Sequence, residues 1–197
     1  MKFIFNSKNK DEIFYNFLFI IIGLIFIKYF ISSFLQIPGD KWAYNELFIN
    51  YSGGIIRRGL LGSIFLKLNI LIGIKPLTFF SIVFSTLYSF QLFIYYKLVK
   101  KFKNYHFLYI FIIFSPSLVL FHIYDESTFF VRDIFVNLTI LLHCFYLFNG
   151  RNNFNSNKYN NFLLYLLIPI ISLNILNHEN QFFFVTIHLL MTSYAYS

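Results

Sequence analysis

Long apolar runs separated by short polar connections constrain this chain more than any other feature. The first run, residues 13–35, would extend roughly 35 Å as an α-helix, which is enough to cross a bilayer with some tilt. Only 12% of the residues are charged and 58% are hydrophobic, a composition that excludes an ordinary soluble enzyme domain, a disordered chain and a disulfide scaffold. We therefore expect an all-α, polytopic integral membrane protein.

Six such runs are predicted to span the membrane, so that residues 1–197 form a single transmembrane domain. The first is too long for a signal-peptide core and is predicted to be an uncleaved anchor. The sixth is short and ends without flanking charge, as expected of a C-terminally truncated fragment or of a helix that does not fully cross. The predicted spans are residues 13–35, 77–99, 105–124, 129–148, 162–176 and 181–196.

The connection between the first two spans, residues 36–76, is much longer than the others. Within it, residues 55–74 repeat an apolar side chain every four positions at Ile56, Leu60, Ile64 and Leu68. This spacing is typical of an amphipathic helix lying in the membrane interface. The alternative is a further crossing, which would invert the side on which every later connection lies.

Basic residues in short connections predict the orientation, because they are retained on the cytoplasmic side. The connections at residues 125–128 and 177–180 contain no lysine or arginine and are predicted to face outward with residues 36–76. The N-terminus is therefore predicted to be cytoplasmic, in a bacterial inner membrane. The basic residues on its side are Lys2, Lys8, Lys10, Lys97, Lys100, Lys101, Lys103, Arg151 and Lys158.

Two adjacent arginines in the long outward connection form the first candidate site. Arg57 and Arg58 have guanidinium groups that bind phosphate in a bidentate manner. Nearby glycines would let the backbone approach such a ligand closely. Arg132 is a third candidate phosphate ligand, and the alternative for the pair is contact with lipid headgroups. The surrounding glycines are Gly53, Gly54, Gly59 and Gly62.

Acidic residues in the outward connections are candidates for catalysis. A carboxylate could act as a general base or bind a divalent cation beside a diphosphate, although the sequence does not identify the metal. Asp133 is predicted to lie with Arg132 more than one turn inside the fourth span, in a polar interior. The histidines His143 and His188 are assigned a structural role. The catalytic candidates are Asp40, Glu46, Asp125, His178 and Glu179.

The chain resembles a group of poorly characterised bacterial multi-span proteins linked to surface-polysaccharide assembly. The resemblance rests on residues 53–62, which read GGIIRRGLLG, together with Arg132-Asp133 and His178-Glu179. The architecture is also similar to GT-C glycosyltransferases, in which an acidic residue and amphipathic helices follow the first span and a lipid-phosphate donor binds beside them. Asp40 and Glu46 occupy that place here, but they are separated, whereas the family pattern has an adjacent acidic pair.

These features predict a glycosyltransferase or polysaccharide polymerase that uses polyprenyl-phosphate-linked sugar within membrane lipid. The alternatives are a transporter or flippase of an anionic or lipid-linked substrate, and a non-catalytic membrane subunit. The net charge of +8 is explained by the orienting loops, so nucleic acid is not an expected partner, and the sequence does not identify a protein partner.

Overall fold

The computed structural model describes residues 7–35, 41–53, 59–101, 129–150, 154–177 and 179–196. Within these ranges the chain is helical, which confirms the predicted all-α class. A π-helical turn, Leu163–Leu167, joins α6 to α7, and short 3₁₀ helices cover Tyr51–Gly53 and Glu179–Phe184. The α-helices are α1 (Ser7–Leu35), α2 (Lys41–Glu46), α3 (Leu60–Ile72), α4 (Pro76–Lys101), α5 (Asp133–Gly150), α6 (Ser156–Phe162), α7 (Ile168–Asn177) and α8 (Val185–Tyr196).

Three helices in the described part of the chain are long and apolar enough to cross a membrane. They are Ile13–Leu35, Pro76–Lys100 and Ser156–Leu176, and they overlap the predicted first, second and fifth spans. Helix α5 and the segment Phe182–Tyr196 are apolar but shorter, and the predicted third span lies outside the described residues. A membrane protein is supported, while the number of spans and the cytoplasmic N-terminus remain predictions.

The outer face of α1 is apolar along most of its length. Large hydrophobic side chains are exposed at intervals of three or four residues, the period of one helix face. Such a stripe is stable against lipid hydrocarbon, whereas a soluble protein would place polar groups there. The exposed residues of this stripe are Ile13, Phe17, Ile20, Leu24, Ile27, Ile31 and Leu35.

Helix α4 runs antiparallel to α1 and also packs against α5. At one end, the Ser81 hydroxyl donates to the Ser33 carbonyl at 2.9 Å, and at the other the Tyr96 hydroxyl donates to Asn16 Oδ1 at 2.9 Å. Between them lies an aromatic core to which α4 contributes the fully buried Phe80, Phe84 and Tyr88. This core fixes α1, α4 and α5 relative to one another.

Helix α3 falls within the segment predicted to be amphipathic, but it is shorter, and a different face is buried. The buried side chains are Leu61 and Phe65, whereas Ile64, on the predicted apolar face, is exposed. Much of the exposed face is itself apolar, including Ile70 and Leu71. A helix in contact with lipid does not need a polar outer face, so the apolar repeat could not identify the packed side.

Candidate functional site

Part of the first predicted outward connection contacts residues that follow the third, whose own residues 125–128 lie outside the described part of the chain. The Arg132 guanidinium donates through Nη2 to the Glu46 carbonyl at the end of α2. Beside this contact, the Tyr44 and Phe130 rings have centroids 5.2 Å apart. Burial raises the pKa of Tyr44 above its usual 10.0. These contacts hold α2 against the segment that leads into α5.

The end of α7, where the fifth connection begins, lies at the same end of the bundle. Asn174, in the last turn of α7, donates through Nδ2 to Thr139 Oγ1 at 2.7 Å and to the Phe135 carbonyl at 3.2 Å. Phe135 belongs to the first turn of α5. All three predicted outward connections therefore have described flanks at one end, which we call the polar end.

An apolar cavity of about 250 Å³ lies beside the start of α3 at the polar end. It is lined by α3 together with α5 and α7, which contribute Phe135 and Asn174 respectively. Leu60, the first of its lining residues in the sequence, follows Arg58 by two positions. Its remaining lining residues are Leu60, Leu61, Ile64, Ile170 and Leu173.

The prediction that Arg132 and Asp133 lie more than one turn inside a helix is wrong. Helix α5 begins at Asp133, and Arg132 immediately precedes it. Phe129 and Phe130 form a turn that is buried in the aromatic core, and the Tyr88 hydroxyl donates to the Phe129 carbonyl at 2.9 Å. Asp133 is exposed at the helix N-terminus, where negative charge is favourable, whereas Arg132 is only 2% exposed.

Gly59 and Gly62 allow α3 to pack closely against the preceding segment. A Cβ atom on Gly59 would lie 2.5 Å from the Tyr51 ring, and one on Gly62 would lie 2.8 Å from the Leu47 carbonyl oxygen. The Tyr51 amide donates to Ser63 Oγ at 2.9 Å across the same contact. These two glycines therefore serve chain packing in the residues that flank the arginine pair.

Several predicted site residues lie outside the described part of the chain, so their roles remain predictions. Glu179 opens a 3₁₀ helix, and Gly53 ends another. Within the described ranges, no three His, Cys, Asp or Glu side chains are grouped so as to hold a metal ion. The predicted residues outside the description are Asp40, Gly54, Arg57, Arg58, Asp125 and His178.

The structure brings together a second polar group that the sequence did not indicate. Nδ1 of His143 in α5 lies 3.0 Å from Nδ1 of His188 in α8, and Nε2 of His143 lies 2.8 Å from the Tyr159 hydroxyl in α6. Both imidazoles are buried. The sequence does place each histidine within an apolar run, and ionisable residues inside a membrane indicate function. It does not show that the two histidines pair.

The histidine group suits hydrogen bonding or proton transfer, whereas anion binding at the polar end remains a prediction that depends on Arg57 and Arg58, outside the described residues. The two groups belong to different parts of α5, because His143 lies about 15 Å along the helix from Asp133. Their chemistry must be inferred from the chain itself: comparisons with protein-family profiles, curated proteins and solved structures give no match.

Proposed function

We propose that this chain is an integral membrane glycosyltransferase or polysaccharide polymerase that acts on polyprenyl-phosphate-linked sugars. The supporting observation is that described residues in or beside the three predicted outward connections lie at one end of the bundle, where buried Arg132 donates to the Glu46 carbonyl at the end of α2. This end would face outward from the inner membrane, with the N-terminus in the cytoplasm. Charged groups placed at a membrane boundary in this way are suited to bind an anionic lipid headgroup.

Arg57 and Arg58 would bind the phosphate groups of the donor. They directly precede Gly59, whose close contact with Tyr51 fixes the start of α3. Guanidinium groups would stabilise the negative charge that develops on the leaving phosphate or diphosphate. The apolar cavity beside Leu60 and Leu61 could accept the first part of the isoprenoid chain.

A carboxylate from Asp40, Glu46 or Asp125 would activate the acceptor. It would take the proton from the acceptor hydroxyl as that oxygen attacks the anomeric carbon of the donor sugar. The bond between the anomeric carbon and the phosphate oxygen would break, and the lipid would leave with the bonding electrons as polyprenyl phosphate, or as the diphosphate where the donor is diphosphate-linked. The contact of Arg132 with the Glu46 carbonyl would keep α2, and the acids at its ends, in place.

Replacing Arg57 with alanine tests this assignment directly. Membranes containing the wild-type chain should form product from lipid-linked sugar, and the variant should lose about 100-fold in rate, as when one transition-state donor is removed. Lys67→Ala is the matched control, because Lys67 is an exposed basic residue on α3. Full activity of Arg57→Ala, or absence of product with the wild-type chain across lipid-linked sugar donors, would reject the enzymatic assignment.

The shared outward side of the connections can be tested by cysteine labelling in intact cells. In a Cys144→Ser background, single cysteines at Ser52, Ser127 and Asn180 should react with an impermeant reagent. Asn157, exposed in the first turn of α6, supplies the control and should react only after permeabilisation. If Ser52 and Asn180 differ in their accessibility, the connections cannot form one site.

A further inference from the structure

A row of buried polar side chains passes through α5, α6, α7 and α8. The interior of these helices is otherwise apolar and aromatic, so each polar group there needs a partner or a function. Neighbouring members of the row are joined by a hydrogen bond or line a common cavity. In order from the polar end, the row comprises the buried Asn174, Thr139, His188, His143 and Tyr159, and it ends at the half-buried Thr192.

The row begins at the polar end with Asn174 and Thr139. Their side chains and that of His188 line a cavity of about 10 Å³. This is approximately the space that one water molecule requires, and the cavity offers polar groups to bind it. A water there would connect the Asn174–Thr139 hydrogen bond to the imidazole of His188.

The two imidazoles form the centre of the row. Their rings are stacked with centroids 5.3 Å apart and planes 13° apart, and the Nδ1 atoms are at hydrogen-bond distance. Because each neutral imidazole has one donor and one acceptor nitrogen, either ring can donate to the other. When His143 carries its proton on Nδ1, the Tyr159 hydroxyl donates to His143 Nε2. When His143 carries its proton on Nε2, the Tyr159 hydroxyl accepts from it.

The row reaches the opposite end of the bundle at Tyr159. This residue is itself fully buried, but it lies in the first turn of α6, directly after the exposed residues 154–158. The Tyr159 hydroxyl also lies 3.3 Å from Thr192 Oγ1 in α8. The chain of polar groups therefore extends from the flank of one surface to the flank of the other.

We propose that this row is a proton-transfer path through the C-terminal helices, a function distinct from glycosyl transfer. In one passage, His188 Nε2 releases its proton to the cavity water, and the proton on His143 Nδ1 moves to His188 Nδ1. The Tyr159 hydroxyl proton then moves to His143 Nε2, and Tyr159 regains a proton from the water beside residues 154–158. One proton enters and one leaves, and both imidazoles remain neutral with exchanged tautomers.

This neutral mechanism suits the surroundings of the pair. Phe162 packs against His143 with ring centroids 6.2 Å apart, and Tyr146 stacks on Phe162, so the pair has apolar and aromatic neighbours. Among the described side chains of α5 to α8, the charged ones are Asp133 and Lys158, and both are exposed. The transfer needs no permanently charged partner, although the tautomers must be reset by ring rotation or reverse transfer before the next passage.

Proton flux into liposomes provides the test. The full chain is reconstituted with internal pyranine, and a potassium gradient with valinomycin supplies the driving potential. Wild-type protein should acidify the lumen faster than empty liposomes, whereas His143→Gln and Tyr159→Phe should fall to the empty-liposome rate. Tyr196→Phe is the matched control, because the Tyr196 hydroxyl bonds to Asn160 on the exposed surface and lies outside the row; it should conduct as wild type.

A wild-type rate equal to that of empty liposomes, or undiminished flux in both variants, would overturn the proposal. Nitrogen-15 NMR of histidine-labelled wild-type protein gives a result that does not depend on the variants folding. We expect coupling across the Nδ1–Nδ1 hydrogen bond and averaging of the two tautomers, and fixed tautomers without that coupling would contradict the path. Arg57→Ala should conduct normally, so failure of the path and failure of glycosyl transfer are separable.

Discussion

Replacing Gly62 with alanine should destabilise the folded protein by about 3 kcal/mol, at the upper end of what overpacking usually costs. The added Cβ would lie 2.8 Å from both the Leu47 carbonyl oxygen and the Ile49 carbonyl carbon, and closer still to the Ile49 oxygen. These are backbone atoms of a segment that the Tyr51–Ser63 hydrogen bond holds in place. They cannot rotate away as a flexible side chain would, so α3 must shift as a whole.

Thermal unfolding in detergent, followed by size-exclusion chromatography, measures this effect. For a chain of this size, each kcal/mol corresponds to a shift in Tm of roughly 2–4 °C. Gly23→Ala is the matched control, because a Cβ on Gly23 in α1 would have no described atom outside its own helix backbone within 4 Å. The control should unfold at or slightly above the wild-type temperature, and equal shifts for the two variants would refute close packing at Gly62.

The glycines also show how much of the site could be predicted from the sequence. Their density around the arginine pair predicted close approach of a ligand, but the structure shows that Gly59 and Gly62 pack against Tyr51 and Leu47. Spacing along a chain reveals that a backbone needs room. It does not reveal whether a ligand or another part of the same chain fills that room.

The predictability of the helices depended on their length. The runs at residues 13–35 and 77–99 are long enough that hydrophobicity alone located α1 and α4. The start of α5 was predicted too early because Phe129 and Phe130 look like lipid-facing residues but form a turn inside the aromatic core. Pairing of His143 with His188 joins residues 45 positions apart, and no local pattern encodes it.

Replacing Arg132 with alanine should also destabilise the protein by about 3 kcal/mol, for two additive reasons. Truncation of a side chain that is only 2% exposed leaves a cavity in a packed region. It also removes the charged donor that Arg132 supplies to the Glu46 carbonyl. Among the described contacts, this carbonyl then keeps the hydrogen bond from the Ile49 amide, at 3.2 Å. Arg132→Lys should recover part of the loss, because it retains the charge but not the planar fork.

The same unfolding measurement distinguishes two roles for this arginine. Lys158→Ala is the control: its exposed basic side chain in the first turn of α6 should change stability by less than about 0.5 kcal/mol. If Arg132→Ala unfolds at the same temperature as the Lys158→Ala control, the guanidinium does not anchor α2. Phosphate binding is then the predicted role that is left for Arg132. If the variant is destabilised as expected, Arg132 acts chiefly by positioning Glu46 and its neighbours, and phosphate binding at the polar end depends mainly on Arg57 and Arg58.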